Sequence, residues 1–253
     1  MTARPRRSVL ACAIFAASVT GALAGCSSSD TPVTSTTASS ATTTAAVPPT
    51  GVKPASTPES ERALFDAVDR NDPAAVTAAL TAGANIEARG EGERTPLVEA
   101  TKNNAVAAAS TLILAGADVN AKDSMQDSAF LYSGAEGLNE ILALTLSHGA
   151  DVDSVNRYGG TALIPASEHA HVETVRMLIA AGVPVNHVND PGWTALLEAV
   201  VYGDGSARYV DVITQLLDAG ADPSIRDASG KTALDNAESR GQSDVVALLQ
   251  SRS

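Results

Sequence analysis

One cluster in the chain has residue types that could hold a metal or move a proton: Glu168, His169, His171 and Glu173, within six residues. Imidazole and carboxylate are ordinary ligands for divalent transition metals. Here the two histidines stand two apart where one helix is expected to end and the next to begin, so they would grip an ion weakly. His148, just before Gly149, reads as a helix-end residue whose partial positive charge suits the C-terminus of a helix. Serines are plentiful, but there is no Gly-x-Ser-x-Gly elbow, no phosphate loop and no Gly-x-Gly-x-x-Gly opening a helix. Cys12 and Cys26 both lie near the N-terminus, so the rest of the chain has no disulfide, thiolate nucleophile or cysteine zinc site. Asp118, Asp123, Asp151, Asp153 and Asp222 fall in turns and read as solvated turn acids. The expectation is a non-enzyme with no metal and no cofactor.

What positions these residues is a repeat. Gly83, Gly116, Gly149, Gly182 and Gly220 each follow an apolar run and open a short polar turn, as in Leu112-Ile113-Leu114-Ala115-Gly116-Ala117-Asp118-Val119-Asn120. The steps between them are 33, 33, 33 and 38 residues. A second marker keeps the same step: Thr95-Pro96-Leu97, Ser128-Ala129-Phe130, Thr161-Ala162-Leu163, Thr194-Ala195-Leu196 and Thr232-Ala233-Leu234. Two chemically different markers with one period define a repeat array.

Each unit reads turn, short helix, tight loop, longer helix, turn. The Thr or Ser of the second marker is a helix N-cap, its hydroxyl placed to accept from free N–H groups of the first turn. Pro96 fits the first helical position, where a missing N–H costs little. The first helices are expected to stop near Asn104, Gly137, Ala170, Gly203 and Gly241, and all but Ala170 are residue types that tolerate a left-handed stop. Apolar residues three and four apart mark the second helices, as in Val172, Val175, Leu178 and Ile179. One such pair cannot hide its apolar stripe alone and must stack on neighbours. Pro165 falls inside a first helix, where it removes a hydrogen bond and predicts a kink. The five extra residues of the 38-residue step are expected to bulge as a surface loop at Asp204–Arg208, rich in helix breakers.

The composition agrees. Apolar residues make up 44% of the chain but aromatics only 3%, which suits thin, closely stacked helices rather than a bulky core. A formal charge of −12 repels phosphate backbones and argues against nucleic-acid binding.

The N-terminus has another character. Arg4, Arg6 and Arg7 precede an uncharged apolar run, Val9 to Leu23, too short for a confident membrane span and laid out as an export signal. Leu23-Ala24-Gly25-Cys26 resembles the lipobox of bacterial lipoproteins, in which the cysteine is lipidated. The paired arginines leave the export route open between the general and twin-arginine systems. Residues 1–25 are expected to be a signal peptide. Residues 26–58 would then be a lipidated Cys26 followed by a Ser/Thr/Ala/Pro tether with too little apolar surface to fold. The expected location is the cell envelope, outside the cytoplasmic membrane or in the periplasm, attached by lipid alone.

From about residue 60 onward, Thr95-Pro96-Leu97 with Gly116-Ala117-Asp118-Val119-Asn120 resembles the ankyrin repeat. That resemblance implies an all-α ankyrin-repeat solenoid of about six helix-turn-helix units with projecting β-turn fingers and a concave face. The units are expected at 60–90, 91–123, 124–156, 157–189, 190–227 and 228–253, the last a polar terminal cap. In the family, His171 stands where a structural Gly-His pair is common. Where the family has histidine after Thr-Pro-Leu, this chain has Val98, Leu131, Ile164, Leu197 and Asp235. The polar contacts of that histidine are therefore lost, and apolar contact is expected to hold the stack.

The resemblance also implies where a partner would touch. Finger positions fall at Arg94, Met125, Arg157, Tyr158, Asp190, Trp193 and Lys231. First-helix ends fall at Lys102, Asn103, Glu136, Glu168, His169, Tyr202 and Arg240, and the insertion adds Arg208. Trp, Tyr and Arg are the usual anchors of interfaces, so Tyr158, Trp193, Tyr202, Arg157 and Arg208 are expected to form one neighbourhood. The reading is a monomeric, membrane-anchored module for an unidentified protein partner. The alternative is an acidic inhibitor or immunity protein covering an exported toxin or enzyme.

Overall fold

The computed structural model describes residues 54–252. The expectations for the signal peptide, Cys26 and most of the tether fall outside these residues. At the tether's end the chain is already engaged: Thr57 caps the first helix, and Ser56 Oγ accepts from the Asn85 N–H at 3.1 Å.

The described residues form twelve α-helices and no strand, arranged as six hairpins. The pairs are α1 (Pro58–Asp69) with α2 (Pro73–Thr81), α3 (Pro96–Lys102) with α4 (Val106–Leu114), and α5 (Ala129–Ala135) with α6 (Asn139–Ser147). They continue with α7 (Leu163–Glu168) and α8 (Val172–Ala180), α9 (Ala195–Val201) and α10 (Ala207–Asp218), and α11 (Ala233–Arg240) and α12 (Ser243–Gln250). First helices pack on first helices and second on second, each repeat touching its neighbours as a solenoid requires.

The caps form where the residue types dictate. Thr95, Ser128, Thr194 and Thr232 each accept, through the side-chain hydroxyl, from the backbone N–H three residues on. Gly116, after α4, adopts φ +93°, a conformation an L side chain enters only with strain.

The fourth repeat departs from this pattern, and Pro165 is the cause. In the other capped repeats the residue at this position (Glu99, Tyr132, Glu198 or Asn236) donates its N–H to the carbonyl of the capping residue. Pro165 has no N–H. The Ile164 N–H turns instead to the Thr161 carbonyl at 3.2 Å. That abandons the Thr161 hydroxyl, which is buried and unpartnered. Instead of a mid-helix kink, the result is a late start, with Ala162 in the capping position and a helix of six residues. Pro165→Ala should restore both bonds. Set against the lost rigidity of proline, the net gain is about 1 kcal/mol, read as a rise of roughly 2–4 °C in the calorimetric midpoint.

The fifth repeat corrects a second expectation. Its extra residues do not bulge as a loop over Asp204–Arg208. The loop runs from Tyr202 to Ser206, and Ala207 and Arg208 begin α10, which has 12 residues where α4, α6 and α8 have nine. The left-handed stop also moves, from Gly203 to Gly205 at φ +72°. At the matching point of the fourth repeat Ala170 holds φ +50° without glycine's freedom. The lengthened helix splints that strained corner: Arg208 Nη2 donates to the carbonyls of His169 (2.6 Å) and Ala170 (3.2 Å), and the Tyr209 hydroxyl donates to the Glu168 carbonyl (2.8 Å).

The stack is not held by apolar contact alone. At the turns after the second helices, a side chain of one repeat accepts from a backbone N–H of the next. Glu87 takes the Asp118 N–H (2.8 Å), Asn120 that of Asp151 (2.8 Å) and Asn186 that of Asp222 (2.7 Å). Ser56 plays the same part ahead of the first repeat. In the fourth repeat this position is Pro184, which has no N–H to give, and the residue of the third repeat that would reach it is Asp153, which cannot donate to a carbonyl in return.

The apolar interior falls into two clusters, one over repeats one to three and one over repeats three to six. They part within the third repeat, where the buried layer contains Ser133, Gly134 and Thr145.

Candidate functional site

Four of the five fingers between repeats are built on one residue each, Asp123, Asn156, Asn189 and Asp227; the first has Gly90 there and only the backbone bond to Arg94. In those four the side-chain oxygen accepts from the N–H four residues on, at 2.8 to 3.1 Å. Backbone N–H to carbonyl bonds close the same turns, for example Asn189 to Trp193 at 3.0 Å. Asp123 is therefore no solvated turn acid; it is 3% exposed. The period of these Asp/Asn residues in the sequence was the signal for this role.

Where finger side chains meet those of the adjacent first helices, the groups that occupy the inter-repeat space differ along the array. Between repeats one and two, Arg94 of the finger pairs with Glu99 of α3 at 3.1 Å. Between repeats two and three, the space is filled by Lys102, whose ammonium lies 2.7 Å from Asp127, 3.3 Å from Asp123 and 4.3 Å from the centre of the Tyr132 ring.

Between repeats four and five the same positions carry different chemistry. Glu168 stands in register with Lys102, Trp193 with Arg94 and Asp127, and Glu198 with Glu99 and Tyr132. Glu198 is 7% exposed and accepts from Asn189 Nδ2 at 3.0 Å. Burial first, and then the neighbouring Glu168 carboxylate, push its carboxyl up to about 7; the Asn189 bond pulls the other way, and a hydrogen bond between the Glu198 and Glu168 carboxyls adds to the rise. Among the described residues neither carboxyl has an ion-pair partner. One helical turn on from Glu198, Tyr202 is exposed, its ring centre 6.4 Å from that of the half-buried Trp193. Burial and then the two carboxylates raise the Tyr202 phenol.

The anticipated neighbourhood is thus partly assembled. Trp193 and Tyr202 are together. Tyr158, 53% exposed, lies on the preceding finger with the Arg157 guanidinium over its ring at 4.6 Å, and its carbonyl accepts from the Asp190 N–H at 2.9 Å. Arg208 is engaged at the end of α7 instead. Of the remaining positions, Lys102 and Arg94 hold internal ion pairs, and Asn103 donates to Asp69 at 3.1 Å. Met125 and Glu136 are exposed. Arg240 reaches back to the Gly203 carbonyl at 3.4 Å. What reading residue by residue missed is Glu198: its importance comes from what surrounds it.

The His169 and His171 rings meet edge-on with centres 5.8 Å apart. His171 is half-buried against Gly137, and burial first, then His169, lowers its basicity. No group of three or more metal-ligating side chains is found among the described residues.

Comparison with known proteins fits this architecture. Residues 130–227 match a family model described as ankyrin repeats (3 copies), and residues 92–124 match the ankyrin repeat model. An ankyrin repeat domain from Acinetobacter baumannii AYE is 52% identical, with 75% of this chain and 96% of that one covered and a TM-score of 0.73. The ankyrin repeat protein EF0377 is 39% identical, with 75% and 97% covered and a TM-score of 0.72.

Proposed function

We propose, since the chain belongs to the ankyrin-repeat family, that it is a non-catalytic envelope protein, tethered by lipid on Cys26, that captures a protein partner on its fingers and first helices. Ankyrin repeats are generally protein–protein interaction modules. The observation that carries the reading to a particular surface is the exposed Tyr202 ring at the end of α9 against half-buried Trp193 of the finger, with exposed Tyr158 on the preceding finger, in a chain with so few aromatics. An aromatic left in water with carboxylates beside it gains most by being covered by a partner that is basic. The leader and the Leu23-Ala24-Gly25-Cys26 sequence support the anchor.

The test is affinity capture from detergent-solubilised membranes with the full-length lipidated protein. Replacing Trp193 and Tyr158 together by alanine removes two anchors worth ~2 kcal/mol or more each. Recovery of the specific partner should fall at least about tenfold, with the circular dichroism melt unchanged. Equal recovery would mean that the partner docks elsewhere.

A further inference from the structure

Three of the inter-repeat spaces carry carboxyls at these positions, and one of the three lacks the cation found in the other two. Where Glu99 lies between repeats one and two, the chain supplies a guanidinium, that of Arg94. Where Asp123 and Asp127 lie between repeats two and three, the chain supplies an ammonium, that of Lys102, under the Tyr132 ring. Between repeats four and five the carboxyls of Glu168 and Glu198 are present, the rings of Trp193 and Tyr202 are present, and among the described residues no cation is.

We infer that this place is the seat for a basic side chain of the partner, a guanidinium that replaces the hydrogen bond between the Glu168 and Glu198 carboxyls and lies against the Trp193 and Tyr202 rings. The inference rests on the docking surface proposed above and adds to it the chemistry of the residue received. The fold already builds cation sites at two equivalent places, so the geometry needs no invention, only a donor from outside. A planar guanidinium suits it better than an ammonium, because it can bond two carboxylates while stacking on an aromatic face. Asn189 holds one oxygen of Glu198 and, through the Trp193 N–H at 2.8 Å, ties that carboxyl to the ring beside it.

A consequence is proton exchange. The titratable groups facing Glu198 are Glu168 from α7 and Tyr202 on its own helix. The finger contributes neutral Asn189, and the α11 side of the packing is apolar, through Ala233 and Ala237. With no cation in place, the buried carboxyl keeps its proton up to about 7. A guanidinium favours the ionised form, so its entry releases that proton. Affinity therefore rises with pH until about 7 and levels off above.

Trp193 is the sole tryptophan, so its fluorescence reports the seat directly. The probe is N-acetylarginine amide, with the neutral, similarly shaped N-acetylcitrulline amide as control. The expected result with the full chain is a saturable change at pH 8, about tenfold weaker at pH 5.5, and none with the citrulline compound. Glu198→Gln should lose the response at pH 8 while its circular dichroism spectrum and melt show the fold intact. Carbon-13 titration of the glutamate carboxyls should show one that ionises near neutrality in the free protein and falls when the probe saturates. A citrulline response equal to that of arginine, or a wild-type response independent of pH and retained in Glu198→Gln, would overturn the inference. So would no response to arginine at either pH. Partner capture that depends on Trp193 and Tyr158 but not on Glu198 would also overturn it, leaving the docking surface standing. Capture indifferent to all three would remove the surface itself.

Discussion

Lys102→Met should cost about 3–5 kcal/mol, the loss expected when one partner of a buried ion pair is removed and the other stays charged. Methionine preserves most of the apolar stem, so the loss isolates the ammonium. The Lys102 side chain is 13% exposed and those of Asp123 and Asp127 are 1% and 15% exposed. Once the cation is gone, two carboxylates are left side by side, that of Asp123 away from water. Asp123 Oδ1 remains satisfied by the N–H groups of Met125 (2.8 Å) and Asp127 (3.0 Å), but Oδ2 has no hydrogen-bond partner and depends on the Lys102 charge at 3.3 Å. The finger at Asn156 makes the same two backbone bonds without a charge, and Asn189 makes the second of them. Adding Asp123→Asn to the methionine variant should therefore recover about half of the loss, because the more accessible Asp127 can reach water. Denaturant unfolding of the single and double variants checks both halves of this statement. If the double variant were no better than the single, the damage would lie in packing around Tyr132.

How far such a ledger can be read from sequence depends on how local the cause is. The period of Gly116 and its counterparts, and the hydroxyl caps at Thr95, Ser128, Thr194 and Thr232, are decided within four residues, and the helices begin and end accordingly. The insertion was located correctly but its shape was not. Gly203, Gly205 and Ser206 suggested a bulge, yet Arg208 and Tyr209 find unpaired carbonyls at the end of α7 some 40 residues away, and those bonds favour helix. Missing histidines after the Thr-Pro-Leu marker suggested a mainly apolar stack. The ladder through Glu87, Asn120 and Asn186 was invisible to that reasoning because each acceptor and donor sit about 31 to 36 residues apart. Lys102 illustrates the same limit for the candidate site. As a residue type at a helix end it reads as a contact for a partner, whereas only the fold brings it under a finger with two carboxylates. Glu198 is the reverse case: an ordinary helix residue made unusual by Glu168 and by burial.

Leu178→Ala should cost about 3–4 kcal/mol and, unlike the lysine variant, should divide the melt into two steps. Leu178 is fully buried and belongs to the cluster running through repeats three to six. Alanine leaves a cavity there that the close-packed helices can collapse around only in part. In a linear array each repeat draws its stability from its own core and from its two interfaces, so damage spreads as far as the interfaces are strong. The third repeat is where transmission weakens. Leu112 is matched one repeat on by Thr145, fully buried, with its hydroxyl given to the Leu142 carbonyl of the same helix at 2.9 Å. Opposite Leu178 lies Gly134: a Cβ placed on that glycine would stand 3.6 Å from Leu178 Cδ1 and 2.8 Å from the Ala162 Cβ. The layer is thin because it must be, and it offers little apolar area to couple the halves. Beyond it, the Asp153–Pro184 step lacks the polar bridge found at its neighbours. The truncated array should thus lose repeats four to six first while the cluster around Leu64, Leu97 and Leu112 persists, a difference that hydrogen exchange can read as early loss of protection in α7 to α12. A single sharp transition at lower temperature, with protection lost evenly from α1 to α12, would show that the third repeat transmits load as well as any other. In that case the polar bridges, rather than the apolar layers, would have to carry the cooperativity of the stack.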